Sequence, residues 1–139
     1  MNAITESFIV STRGKGTYAI TADVEEILVR SGIKTGIVTI FIQHTSASLV
    51  IYENADPTAR ADLHCFFEEL VPEDYPGLIH TAEGPDDSTS HLKMVLTRTS
   101  ESVPVASGRL QLGVWQGIYL FEHRNAPHRR SVVVSLLGN

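Results

Sequence analysis

Cysteine is almost absent from this chain. Cys65 stands alone, which excludes an intramolecular disulfide and fits a reducing, cytoplasmic setting. Long apolar runs are missing too: none approaches the ~20 residues a membrane-spanning helix needs. The opening residues MNAITESFIV lack the basic start and apolar centre of a signal peptide. Basic residues are scarce, 11 Lys and Arg against 16 Asp and Glu for a net charge of −5. The clustered cations of a nucleic-acid or membrane-surface binder are therefore not expected. No repeat, low-complexity tract or linker divides the chain. With 139 residues, 42% of them hydrophobic, it reads as one domain over residues 1–139 with a real core.

What is present follows a strand-rich pattern. Residues 4–12 and 17–21 read as strands, and Arg13-Gly14-Lys15-Gly16 between them suggests a hairpin turn. Asp23 to Ser31 carries Val24, Ile27 and Leu28 at helical spacing, with Gly32 as a stop. A pair of strands follows from residue 35 to 52, interrupted by Gln43-His44-Thr45-Ser46. Asp56-Pro57 is a helix start running to Leu70, with Ala59, Leu63, Phe66, Phe67 and Leu70 on one face. Residues 71–87 are a long irregular segment. Asp87 or Ser88 then caps a short helix whose stripe is Leu92, Val95, Leu96 and Thr99. Residues 102–106, 109–114, 115–123 and 130–137 are strand-like. About seven strands and three helices, without regular alternation, predict an α+β domain on a mostly antiparallel sandwich or barrel-like core.

Six histidines are the chemically loudest feature. His44 sits at a strand end, His80 in the long loop, and His91 in the first turn of the short helix. The positive end of that helix favours a neutral imidazole. Converging, the three would suit Zn²⁺ with one position left open. Taken singly, each also reads as a surface or hydrogen-bonded residue, and no short metal motif decides between these. Glu122, ending an apolar strand, reads as a general base, a metal ligand or a surface acid. Cys65 reads as a small core residue and His64 as an exposed helix position. Three groups could receive an anion: Thr45, Ser46 and Ser48; Ser88, Thr89 and Ser90 ahead of Lys93; and Arg124, Arg129 and Arg130 in an otherwise acidic protein.

Several of these motifs occur together in one order. Gln43-His44-Thr45-Ser46-Ala47-Ser48, Glu53-Asn54 with Asp56-Pro57, His80, Ser90-His91-Leu92-Lys93, Gly113 with Trp115-Gln116-Gly117-Ile118, and Glu122-His123-Arg124 resemble the YjbQ family. The resemblance implies a compact α+β domain, a homotrimer, and a metal site at His44, His80 and His91. It also implies a secondary thiamine phosphate synthase activity, a transferase reaction joining hydroxymethylpyrimidine diphosphate to thiazole phosphate with release of pyrophosphate. Residues 123–128 depart from the acid-Gly-Pro-Arg turn of many members.

The expectation is thus a metal-dependent enzyme acting on a small phosphorylated metabolite. His44 and Glu122 would serve the chemistry, while Thr45, Ser46, Lys93, Arg124 and Arg130 would bind substrate. Zn²⁺ is the expected ion and Mg²⁺ the alternative. Because Mg²⁺ prefers oxygen ligands and usually accompanies diphosphate release, three histidines point to thiamine phosphate synthesis as a side reaction. The rival expectations are a non-catalytic trimer binding metal or a phosphometabolite, and a purely assembling role.

Overall fold

The computed structural model describes all 139 residues. In chain order the elements are β1 (Asn2–Ser11), β2 (Gly16–Ala19), α1 (Thr21–Ser31), β3 (Gly36–Ile42), β4 (Ala47–Glu53), α2 (Pro57–Leu70), α3 (Asp87–Leu96), β5 (Ser100–Ala106), β6 (Arg109–Leu110), β7 (Gln116–Glu122) and β8 (Arg129–Gly138). Period-two alternation sets the faces of the sheets. Along β8, Val132, Val134 and Leu136 are buried while Ser131, Val133, Ser135 and Leu137 point away from the core. β3 repeats the pattern with Val38, Ile40 and Ile42 inward. The strands form two antiparallel sheets, ordered β1-β8-β3-β5-β6 and β2-β7-β4, curled into a half-barrel. The α+β architecture is the expected one. Val24, Ile27 and Leu28 of α1 complete a core cluster drawn from both sheets. Gly32 ends α1 in the left-handed region at φ 73°. No helix is long and apolar enough to cross a membrane.

The pairing differs from the expected hairpins. β1 pairs with β8 throughout its length, whereas β2 pairs with β7 in the other sheet. Gly14 and Gly16, at φ 116° and 150°, turn the chain from one sheet to the other instead of folding it back on itself. β3 and β4 likewise belong to different sheets, as do β7 and β8. Residues 12–15, 43–46 and 123–128 therefore all cross between sheets. The strand expected over 109–114 stops at Leu110, and Trp115 lies exposed in the loop that follows.

Two helices present faces other than those expected. In α2 only Phe67 is buried; Phe66 and Leu70 are exposed, and so is Cys65, which is not a core residue. His64 is half-buried rather than exposed, 3.1 Å from Thr17 Oγ1. α3 is inverted: Asp87, Thr89, Ser90 and Lys93 are buried, whereas Leu92, Val95 and Leu96 face outward. Its N-cap is Asp86, whose side chain makes no capping hydrogen bond because it bonds Arg124 and Asn125 instead. Polar side chains can be the buried face only where hydrogen-bond partners satisfy them. Every buried polar side-chain atom here has a partner: remote ones for Asp87 and Lys93, carbonyls at the helix start for Thr89 and Ser90.

Candidate metal centre

The three crossovers meet at one buried guanidinium. Arg130, at the start of β8, donates from Nε to Glu122 Oε1 at 2.8 Å and from Nη2 to Glu122 Oε2 at 2.5 Å. Nη2 also donates to Ser46 Oγ at 2.9 Å. Thr12 Oγ1 donates to Glu122 Oε1 at 2.6 Å, so the ends of β1, β7 and β8 and the 43–46 crossover are fixed to one ion pair. Burial pushes the Glu122 carboxyl up, but Arg130 and Thr12 outweigh it and hold the group below the usual carboxylate range. Glu122 is fully buried. Expected as a base, it is instead the anion that staples the seam.

Beside this seam opens a polar cavity of about 600 Å³, with Gln43, His44, Thr45, Asp87, His91 and Arg124 among its lining. Asp87, the first residue of α3, is the centre of its chemistry. Its Oδ2 lies 2.8 Å from His80 Nε2 and 3.1 Å from His91 Nε2. One ligand atom from each of His80, Asp87 and His91 falls within 4.8 Å of the others. Asp87 Oδ1 points the other way and accepts from Arg124 Nη1 at 2.7 Å. Burial alone would raise the Asp87 carboxyl. His80, His91 and Arg124 reverse that and keep it below its ordinary value.

The tautomer of His91 follows from its other nitrogen. Nδ1 is 2.6 Å from the carbonyl oxygen of Thr45, which can only accept, so Nδ1 carries a proton. In the neutral ring Nε2 then presents a lone pair to a carboxylate oxygen 3.1 Å away. Two lone pairs at that separation repel unless a cation lies between them, either a second proton on the ring or a metal ion. A histidine whose far N–H is held by a backbone carbonyl is also the usual arrangement of a metal ligand.

His44 does not join this group. The backbone N–H of Ser131 can only donate, so His44 Nε2 accepts from it at 2.7 Å and the ring proton is on Nδ1. The one lone pair His44 could offer an ion is spent on the backbone, and Asp87 stands in the expected triad's place. Burial, then the nearby Arg130 charge, lowers the His44 pKa. His44 thus lines the cavity with Nε2 on the Ser131 amide and Nδ1 3.4 Å from Arg130 Nη1.

The expected anion-binding residues divide. Arg124 faces the cavity with Ser46, but Arg124 is tied to Asp86 and Asp87, and Ser46 Oγ is taken by Arg130. Thr45 contributes its carbonyl rather than its hydroxyl. Lys93 is buried against Glu68, away from this cavity, and burial lowers its pKa despite that partner. Nearby, Ser48 Oγ is 2.8 Å from His123 Nε2, a pairing that resembles a nucleophile and its base. Both are buried, and Thr97 Oγ1 donates to the same hydroxyl at 2.6 Å, so the pair serves packing. In sequence Asp87 reads only as a cap, although its i, i+4 spacing to His91 puts both on one side of a helix.

The sequence matches the model of the family described as "UPF0047 protein YjbQ-like" over residues 6–139. It is 47% identical over 133 residues to the UPF0047 protein sll1880 of Synechocystis, covering 96% of this chain and 90% of that one. It is 42% identical over 132 residues to the UPF0047 protein YjbQ of Salmonella typhimurium, covering 93% and 94%. Among solved structures it is similar to a YbjQ-like protein of unknown function from Sulfolobus solfataricus. That match has a TM-score of 0.91 at 28% identity, over 99% of each chain. A conserved hypothetical protein from Thermus thermophilus matches with a TM-score of 0.85 at 38% identity, over 95% of this chain and 99% of that one. These findings correct the expected function. The family and its solved members are described as of unknown function, and no thiamine phosphate synthase activity stands among them. The geometry agrees, since the expected base Glu122 and the expected phosphate anchor Lys93 are buried in ion pairs, and Arg130, which lines the cavity, is committed to Glu122 and Ser46.

Proposed function

The chain belongs to the UPF0047 YjbQ-like family, and we propose that it binds one divalent transition-metal ion through His80, Asp87 and His91. The observation that carries this is the approach of His91 Nε2 to Asp87 Oδ2 at 3.1 Å, with the His91 proton committed to Thr45. The donor set fits the ion. Two imidazoles and one carboxylate suit Zn²⁺, whereas Mg²⁺ prefers oxygen ligands throughout. Three protein ligands leave a position open to the cavity, and an ion there supplies Lewis acidity toward whatever ligand enters. The chain's own contribution is to place the polar side chains of Gln43, His44 and Arg124 around the same cavity.

Equilibrium dialysis of tag-free protein against Zn²⁺ tests this directly. One ion per chain is expected for the wild type and none for His80→Ala. No ion on the wild type would end the proposal.

The second part of the proposal is that the protein is a homotrimer. Two surfaces support self-association. The outward face of β1, β8 and β3 carries Ile9, Ile37, Phe41, Val133 and Leu137 among small polar residues, without a charge until Arg129. Depletion of charge is a mark of interface cores. The inverted helix α3 exposes Leu92, Val95 and Leu96, a stripe that a second copy would cover. The number three comes from the family resemblance.

A further inference from the structure

Arg124 has no counterpart in the ligand set, yet its guanidinium is spent entirely on the residues around it. Nη1 donates to Asp87 Oδ1 at 2.7 Å, Nε to Asp86 Oδ2 at 3.1 Å, and Nη2 to the carbonyl of Glu83 at 3.2 Å. Arg124 sits on the 123–128 crossover, where its backbone N–H also donates to Glu122 Oε2 at 3.2 Å. The next residue, Asn125, donates its backbone N–H to Asp86 Oδ2 at 2.8 Å. The crossover therefore connects the Glu122–Arg130 staple to the carboxylate at the start of α3.

We infer that Arg124 is a positioning residue for the metal carboxylate: by occupying Asp87 Oδ1 it leaves Oδ2 alone to face His80 and His91. This rests on the proposed metal site and adds to it a statement about coordination. A carboxylate with one oxygen accepting a short, charge-assisted N–H bond from a guanidinium turns its other oxygen to the ion. Asp87 is almost fully buried, and its two oxygens divide between Arg124 and the imidazoles. Without Arg124 the carboxylate is free to rotate or to present both oxygens. Outer partners of metal ligands commonly matter at this level, about 10- to 100-fold in affinity.

The same arginine also braces the loop that carries His80, so a loss of affinity in one variant would not separate orientation from bracing. Asp86→Asn makes the separation. It weakens the bonds from Arg124 Nε and from the Asn125 backbone while leaving the Arg124–Asp87 contact.

The experiment measures Zn²⁺ affinity by competition with a chromophoric chelator for wild type, Arg124→Gln, Arg124→Lys and Asp86→Asn. The visible spectrum of the Co²⁺-loaded protein and the melting temperature of the metal-free protein are recorded for each. Arg124→Gln is expected to bind about 10- to 100-fold more weakly with an altered Co²⁺ spectrum, and Arg124→Lys to recover part of the affinity by retaining the charge. Asp86→Asn is expected to melt lower yet bind within about threefold of wild type with an unchanged spectrum. The inference is overturned if wild type binds Zn²⁺ and Arg124→Gln matches it in affinity and spectrum. It is overturned equally if Asp86→Asn loses as much affinity as Arg124→Gln, since bracing would then explain both. Should Arg124→Gln not fold, Arg124→Lys decides, with unchanged Co²⁺ spectrum and affinity counting against the inference. A wild type that binds no metal removes the metal assignment itself, an outcome distinct from these.

Discussion

Glu122 and Arg130 form a two-point ion pair at the seam of the half-barrel, with bonds of 2.8 and 2.5 Å, the Glu122 side chain fully buried and that of Arg130 nearly so. Breaking a buried pair strands the remaining charge, which costs about 3–5 kcal/mol. Glu122→Gln keeps the shape and one acceptor for Thr12 but loses the charge. It is expected to lower unfolding free energy by about 3–5 kcal/mol in urea titration. A change within about 0.5 kcal/mol would mean that Glu122 is not structural.

His123 gives a pH prediction. Burial, then the positive charges of Lys93, Arg130 and Lys15, lowers its pKa from 6.5 to about 3. The unfolded chain takes up a proton near pH 6.5 that the folded chain refuses, so stability is lost as pH falls from there toward 3. The slope for one such group is at most about 1.4 kcal/mol per pH unit. His44 and His64, both lowered first by burial, add to the same slope. His123→Gln is expected to flatten the stability profile between pH 6 and 4 while shifting its overall level. An unchanged slope by chemical denaturation across that range would contradict the burial of a neutral His123.

Gly36 and Gly138 sit opposite each other where β3 meets β8. A Cβ on Gly36 would fall 2.1 Å from the Leu137 carbonyl oxygen and 2.8 Å from Gly138 Cα. Backbone cannot yield as a side-chain tip does, so Gly36→Ala is expected to cost about 3 kcal/mol or more, at the upper end for overpacking. The urea midpoint measures it.

The strands themselves were legible because alternation along β3, β4, β7 and β8 depends only on neighbours in sequence. Their pairing was not. Arg13-Gly14-Lys15-Gly16 looks like a hairpin turn, and only tertiary packing sends β1 to β8 and β2 to β7. The faces of α3 differ from the expected ones for a related reason. Lys93 is buried against Glu68 and Asp87 against Arg124, both distant in sequence, while Thr89 and Ser90 bond back to Pro85 and Asp87, so the apolar stripe of α3 is the outer one. The family motifs bring His80 and His91 forward together, whereas Asp87 resembles a cap in sequence, and nothing in the sequence near His44 signals that Ser131 holds its Nε2 lone pair.

The outward stripe of α3 and the charge-poor face of β1, β8 and β3 give the assembly prediction. Light scattering is expected to report three chains for wild type and a smaller species for Val95→Asp or Phe41→Asp, both at exposed positions. A monomeric wild type at tens of micromolar would remove the trimer.

The most direct measurement is an anomalous-difference map from crystals of tag-free protein grown with Zn²⁺. One peak is predicted about 2.0–2.2 Å from His80 Nε2, His91 Nε2 and Asp87 Oδ2, with His44 Nε2 still on the Ser131 amide. A map without a peak there, or with an ion held by His44 in place of Asp87, would contradict the metal centre described above.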